Sequence, residues 1–172
     1  MNASRGFSLA ELMTALAVAA ICLGLGVPGF RSVQQRVRLD ATFHTLTASI
    51  AMARATAVTR RTPVTVCPSP DGLRCAKTLE WEHGWIVYLD PRKEDSPRSP
   101  EQVIRVLTPP RRMLIHASTG RYRIRYQANG LASGTNLSLG VCPVGGQLAG
   151  SVIVSNTGRA RRELTKKTTS CP

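Results

Sequence analysis

An apolar run near the N-terminus constrains this chain more than any other feature. Met1 to Gly6 is short, polar and carries Arg5, and from Phe7 to Phe30 the sole charge is Glu11. The 19 residues from Leu12 to Phe30 are uncharged, close to the ~20 that cross a bilayer as a helix. Arg5 precedes the run and Arg31, Arg36 and Arg38 follow it, so the basic flanks set no inside/outside bias. A cleavable secretory signal needs a small-x-small site after the apolar stretch, which Gly26-Val27-Pro28-Gly29-Phe30 fits poorly. A plain anchor fits the length and leaves Glu11 unexplained. A carboxylate near the end of an apolar helix is costly in lipid and is usually functional.

The string GFSLAEL, Gly6 to Leu12, resembles the processing site of type IV prepilins. The resemblance implies cleavage after Gly6 by a prepilin peptidase and N-methylation of Phe7. It also implies that Glu11 pairs with the N-terminal amine of a neighbouring pilin during assembly. Two charges that are each costly in lipid neutralise one another across the interface, which sets register. The expected localisation is single-pass in the inner membrane before assembly, then a surface or periplasmic pilus.

Pro28-Gly29 is expected to kink or locally melt the helix. Helical spacing then resumes through Val33, Val37, Ala41, Leu46, Ile50, Ala53 and Ala57 and ends near Thr59 to Pro63, an amphipathic half-helix for packing on a domain. Beyond Pro63 the pattern turns to strands at Val64–Cys67, Gly84–Asp90, Val103–Leu107, Met113–His116, Arg121–Gln127, Leu137–Cys142 and Ser151–Ser155, punctuated by Gly, Pro and Asn. The expected fold is α+β: a leader at 1–6, a long helix at 7–62 with a transmembrane part at 7–30, and a β-sandwich-like domain at 63–172 with a basic tail.

Hydrophobic content of 42% excludes a disordered chain. The net charge is +13, and 19 of the 23 basic residues are Arg. From Arg111 to Pro172 ten basic residues face one acid, Glu163. Such a field attracts polyanions, whether nucleic acid or anionic lipid headgroups, and it also serves plain solubility. Of five cysteines, Cys22 lies in the apolar run and reads as a small buried hydrophobe. In an exported chain the other four suggest two disulfides. Sequence proximity favours Cys67–Cys75 and Cys142–Cys171 among three possible pairings. Zinc is the rival, against which the spacings lack paired CxxC and His44, His83 and His116 are scattered.

WEHGWIVYLD (Trp81 to Asp90), EQVIRVL (Glu101 to Leu107) and IRYQANGLASG (Ile124 to Gly134) resemble the body of the FimT/FimU and GspH group of minor pilins and pseudopilins. Within Asn156 to Arg162 the tail carries GRxR. In FimT-type minor pilins linked to natural transformation, such a region binds DNA, which implies a role for Arg159 and Arg161. Gly158 would let the backbone approach a phosphate, and alternate arginines on an extended segment point the same way. Arg162, Lys166 and Lys167 extend the patch by charge. With neither a recognition helix nor an aromatic platform, contact with double-stranded DNA would be phosphate-dominated and sequence-independent.

Arg121, Arg123 and Arg125 alternate on one expected strand, either as a second DNA-facing stripe or as a solvated sheet face. Asp90, Glu94 and Asp95 could mimic a calcium loop, with a polar surface loop as the plainer reading. The sequence contains no nucleophile elbow, phosphate loop or metal-ligand spacing, so neither an enzyme nor a cofactor is expected. Two roles remain open: a DNA-binding minor pilin for competence, and a structural minor pilin or secretion pseudopilin that primes fibre assembly without binding DNA.

Overall fold

The computed structural model describes residues 8–134, 136–165 and 171, with the side chains of 25–28 and 31 outside that description. Gly6, Phe7, Lys166 and Lys167 therefore lie outside the described residues. The chain divides into two compact units, Met1–Val37 and Arg38–Pro172.

One helix, α1, runs over Leu9–Thr59. The backbone stays helical through Pro28 and Gly29, so the local melting expected there is absent. A proline removes one donor from the ladder, and the bonds on either side carry the helix past it. Among the described residues no helix is long and apolar enough to cross a membrane; residue 7 and the side chains at 25–28 of the expected span fall outside that set. Cys22 is a free, exposed thiol in this unit, not the buried hydrophobe its neighbours suggest. Val33 and Val37 are also exposed.

In the second unit the helix buries Phe43, Leu46, Ile50, Ala53 and Ala57. Their alternating spacing of three and four residues keeps one stripe inward. Ala41 falls off that stripe and is exposed. Among the described residues eight strands follow, all paired antiparallel: β1 Val64–Pro68, β2 Trp85–Leu89, β3 Val103–Leu107, β4 Met113–Ala117, β5 Ile124–Tyr126, β6 Leu137–Pro143, β7 Gly150–Val154 and β8 Ala160–Leu164. They form two four-stranded sheets, β3-β2-β1-β5 and β4-β6-β7-β8.

Seven of these strands fall where apolar alternation places them, although β5 is shorter than Arg121–Gln127. The eighth, β8, was not expected. Its residues Ala-Arg-Arg-Glu-Leu lack an apolar alternation because it is an edge strand with little core contact.

The helix stripe and the inner faces of both sheets share one core. It includes Val64, Val66, Trp85, Val87, Ile124 and Tyr126 from the first sheet and Ile115, Leu139, Val141, Val152 and Val154 from the second. The indole Nε1 of Trp85 donates to Ser49 Oγ at 3.0 Å, fixing the first sheet to the helix. The outer face of the first sheet is covered as well: Cys67, Ile86 and Tyr88 form a second small cluster with Cys75 and Val103. The Cys67–Cys75 disulfide closes an eight-residue separation over this face, and Cys142–Cys171 joins the chain end to β6.

Candidate nucleic-acid interface

The GRxR segment forms the turn and first residues of the β7–β8 hairpin. Gly158 N–H donates to Ser155 O at 2.9 Å and Ser155 N–H to Arg159 O at 3.0 Å, closing a short loop over Asn156, Thr157 and Gly158. Gly158 has φ +82°, the left-handed conformation that such a hairpin requires and that glycine adopts without strain.

Gly158 faces inward, not toward solvent. A Cβ added there would lie 2.2 Å from Gly130 O. Its own carbonyl accepts from the Tyr126 hydroxyl at 3.2 Å, and Arg54 Nε of α1 donates to Gly130 O at 3.1 Å. The turn is thus seated on β5, on the Gln127–Leu131 turn and on α1. The expected close approach of Gly158 to a phosphate is replaced by this packing. Burial pushes the Tyr126 hydroxyl up to about 12, because a phenolate there would lose its water.

Strand pairing separates the three tail arginines. Val154 opposes Ala160 and Val152 opposes Arg162, whereas Ile153 opposes Arg161 and Ser151 opposes Glu163. Arg159 and Arg161 therefore share the outer face, and both are exposed. Arg161 lies 3.7 Å from Glu163, a loose pair with both side chains in water and little hold. Among the described residues Arg159 has no acidic partner. Arg162 turns the other way: its Nη2 pairs with Asp40 Oδ1 at 2.9 Å and its guanidinium sits 4.2 Å from the Phe43 ring centroid. It is fixed to the helix by charge and cation–π attraction.

Of the arginines at 121, 123 and 125, the latter two meet acids instead. Arg125 Nε donates to Asp90 Oδ2 at 2.7 Å and to Thr65 Oγ1 at 3.2 Å, and a second guanidinium nitrogen donates to Glu94 O. Thr65 Oγ1 donates to the same Asp90 oxygen at 2.7 Å. The Arg125 side chain is 15% exposed and that of Asp90 2%. Arg123 is bound to Asp95, which also holds Lys77 Nζ at 3.0 Å. The Lys77 and Arg123 hydrogen bonds hold the Asp95 carboxyl down at about 2. Arg121 is half-buried against Gly134. The sequence treated this stripe as open to solvent or DNA; in the fold the 90–95 segment lies over Arg123 and Arg125.

The same contacts occupy the acids of the supposed calcium loop, Glu94 being bound by Arg98. Among the described residues one group has spacing suited to an ion: Glu80, Glu82 and His83, whose ligand atoms lie within 4.8 Å of one another at the surface. At the other end of the chain, Ser8 Oγ accepts from Glu11 N–H at 3.3 Å. Ser8-Leu9-Ala10-Glu11 thus starts the helix with half of a capping box, a signal present in the sequence and overlooked beside the processing motif.

Comparison with known proteins gives two family matches. The profile described as "Type II transport protein GspH" covers residues 42–158, and that of the "Prokaryotic N-terminal methylation motif" covers residues 1–27. The first match stops one residue short of Arg159. No match was found among curated proteins.

Among solved structures, the minor type IV pilin FimU of Pseudomonas aeruginosa is similar in two crystal forms. One has TM-score 0.63 and 19% identity, covering 81% of this chain and 99% of that one. The other has TM-score 0.59 and 18% identity, covering 78% and 100%. The minor pseudopilin EpsH of the Vibrio cholerae type 2 secretion system has TM-score 0.51 and 10% identity, covering 76% and 99%. At these identities the likeness speaks for the fold.

Proposed function

The chain belongs to the GspH family of type II transport proteins, with the fold and N-terminal motif of a minor pilin or pseudopilin, and we propose that within that role it binds double-stranded DNA non-specifically and promotes DNA uptake. The observation that carries this reading is the shared exposed face of Arg159 and Arg161 on β8. Arg159 is without an acidic partner among the described residues, and Arg161 is held only loosely. Guanidinium groups on alternate residues of an extended strand stand about 7 Å apart, close enough to grip neighbouring phosphates of one DNA strand. Lys166 and Lys167 would extend the grip beyond the described residues, while Arg162 acts as a clamp on the helix.

The N-terminal reading accompanies it. Cleavage after Gly6, methylation of Phe7, a membrane span at 7–30 and pairing of Glu11 with a neighbouring subunit's amine would place the domain on a fibre. There, several copies would act together and modest affinity would suffice.

The test is a binding titration of the full chain in uncharged detergent with unrelated DNA duplexes, at several salt concentrations, beside Arg159→Gln/Arg161→Gln. The wild type is expected to bind all duplexes alike and to weaken steeply with salt. The variant should keep its melting temperature, bind more weakly and lose about one unit of log–log salt slope for each phosphate contact removed. Equal, weak binding by both would leave a structural assembly subunit whose basic tail serves another end.

A further inference from the structure

Beside the exposed arginine face a groove of about 520 Å³ runs between the last turns of α1 and the start of β8. Its floor is Ala51, Ala55 and Val58 from the helix and Ala160 from the strand, and Arg54 and Arg159 stand in its walls. Among the described residues no acid lines it. Arg54 lies outside the basic tail, and no motif marks it.

We infer that this groove is the bed for one sugar–phosphate strand of the bound DNA, with Arg54 as a phosphate-binding residue opposite Arg159. The inference rests on the DNA-binding reading and adds to it a second wall of contact and a fixed path. Arg54 Nε is engaged by Gly130 O at 3.1 Å, which fixes the plane of its guanidinium and leaves both terminal nitrogens with donors for phosphate oxygens. Ordering is thereby met in advance, and less freedom is lost on binding.

The alanine floor matters equally. Small side chains let a backbone come close, and the C–H faces of deoxyribose can rest on them while charged oxygens reach the arginines on either side. Charge complementarity selects an anionic occupant, because two cations without an acid would repel a basic segment and would remain unpaired beneath an apolar one. Arg159 belongs both to the groove and to the exposed arginine face, so a strand lying in the groove has Arg161 two residues further along β8. Exposed Arg60 and Arg61 follow at the end of α1 and add to the attracting field.

The experiment uses the full chain in uncharged detergent and a fluorescent duplex. Ala51→Glu and Ala55→Glu each place one acid on the groove floor, at exposed helical positions that suit glutamate. Gln147→Glu adds the same charge in the exposed β6–β7 turn. Thermal melts establish that each variant is folded, and having two groove variants guards against the failure of one. Either groove variant should weaken binding about tenfold or more through like-charge opposition, while Gln147→Glu should stay within about twofold, as a rim charge does. If both groove variants match Gln147→Glu while Arg159→Gln/Arg161→Gln has lost binding, the groove is not the strand's bed and the DNA reading stands. If the wild type itself does not bind, both readings fall together.

Discussion

Two stretches of this chain look alike as text. Arg121-Tyr122-Arg123-Ile124-Arg125 and Arg159-Ala160-Arg161 both alternate arginine with an uncharged residue, and both abut or form strands. Their fates are opposite. The face that carries Arg123 and Arg125 is overlaid by the acidic 90–95 segment, and Arg125 ends in a buried ion pair with Asp90. Among the described residues the one acid paired on the face that carries Arg159 and Arg161 is Glu163, 3.7 Å from Arg161. Alternation puts side chains on a common face, but what lies over that face decides whether they are tied into ion pairs or left open to solvent. The basic charge of the last third of the chain is therefore not one patch: part of it holds the domain together.

The largest expected effect tests that contrast directly. Arg125→Ala would leave Asp90 charged and buried with Thr65 Oγ1 and Glu94 N–H as remaining donors. Breaking one side of such a pair costs about 3–5 kcal/mol, to be read as a fall in urea midpoint. Arg159→Ala should stay within about 0.5 kcal/mol of wild type and lose DNA affinity instead. Equal stability losses would end the distinction. Next comes Gly158→Ala, expected to cost about 2–3 kcal/mol through the left-handed backbone and the contact with Gly130 O. Gly145, at φ +75°, has open space where its Cβ would go, so Gly145→Ala should show the backbone strain alone, about 1 kcal/mol. If the two match, the β7–β8 turn is not seated as described.

The sequence showed the strand ladder well because apolar alternation survives wherever one strand face meets the core. Val64, Val66, Leu137, Leu139, Val152 and Val154 all declare themselves this way. It failed for β8, whose inward positions are Ala160, Arg162 and Leu164, and for Val33 and Val37, which keep helical spacing without a core to meet. The GRxR motif singles out Arg159 and Arg161 as candidates, and the fold leaves both exposed, but Gly158 was read as a phosphate contact because a glycine's partner 28 residues away, Gly130, leaves no local trace. Arg54 was invisible for the same reason: its place beside Arg159 exists only once α1 and the hairpin are packed.

Each of the two regions also keeps a buried tyrosine, which gives a third test. Burial first, then the Asp90 charge, pushes Tyr88 up to about 12 on the covered face, and burial does the same for Tyr126 beneath the Gly158 turn. A group whose folded value is raised contributes stability that is complete below its unfolded value, near 10 for tyrosine. That contribution is lost as pH rises toward 12. A decline on the order of 2 kcal/mol per tyrosine is expected between these limits. Tyr126→Phe should flatten its share of the alkaline decline after losing the bond to Gly158 O, and Tyr88→Phe should flatten the share belonging to the covered face. A chain whose stability is level from about pH 9 to about 11.5 would contradict both burials.

The smallest effect lies at acid pH and concerns what holds Arg123. Asp95 is lowered to about 2 from 3.8, chiefly by Lys77 and then by Arg123. A lowered carboxyl contributes stability that is present above the unfolded value and is lost as pH falls from about 4 toward 2. The group is exposed, so the loss should be slight and should shrink further in salt. Asp95→Asn should remove that slight, salt-sensitive share of the acid decline and leave the rest. It also deprives Arg123 of its carboxylate without disturbing Arg125. If the two arginine regions differ only in their acid cover, Asp95→Asn should raise DNA affinity by more than a remote substitution that adds the same unit of charge. No difference between them would mean that Arg123 is kept from DNA by its position in the fold and not by its partner.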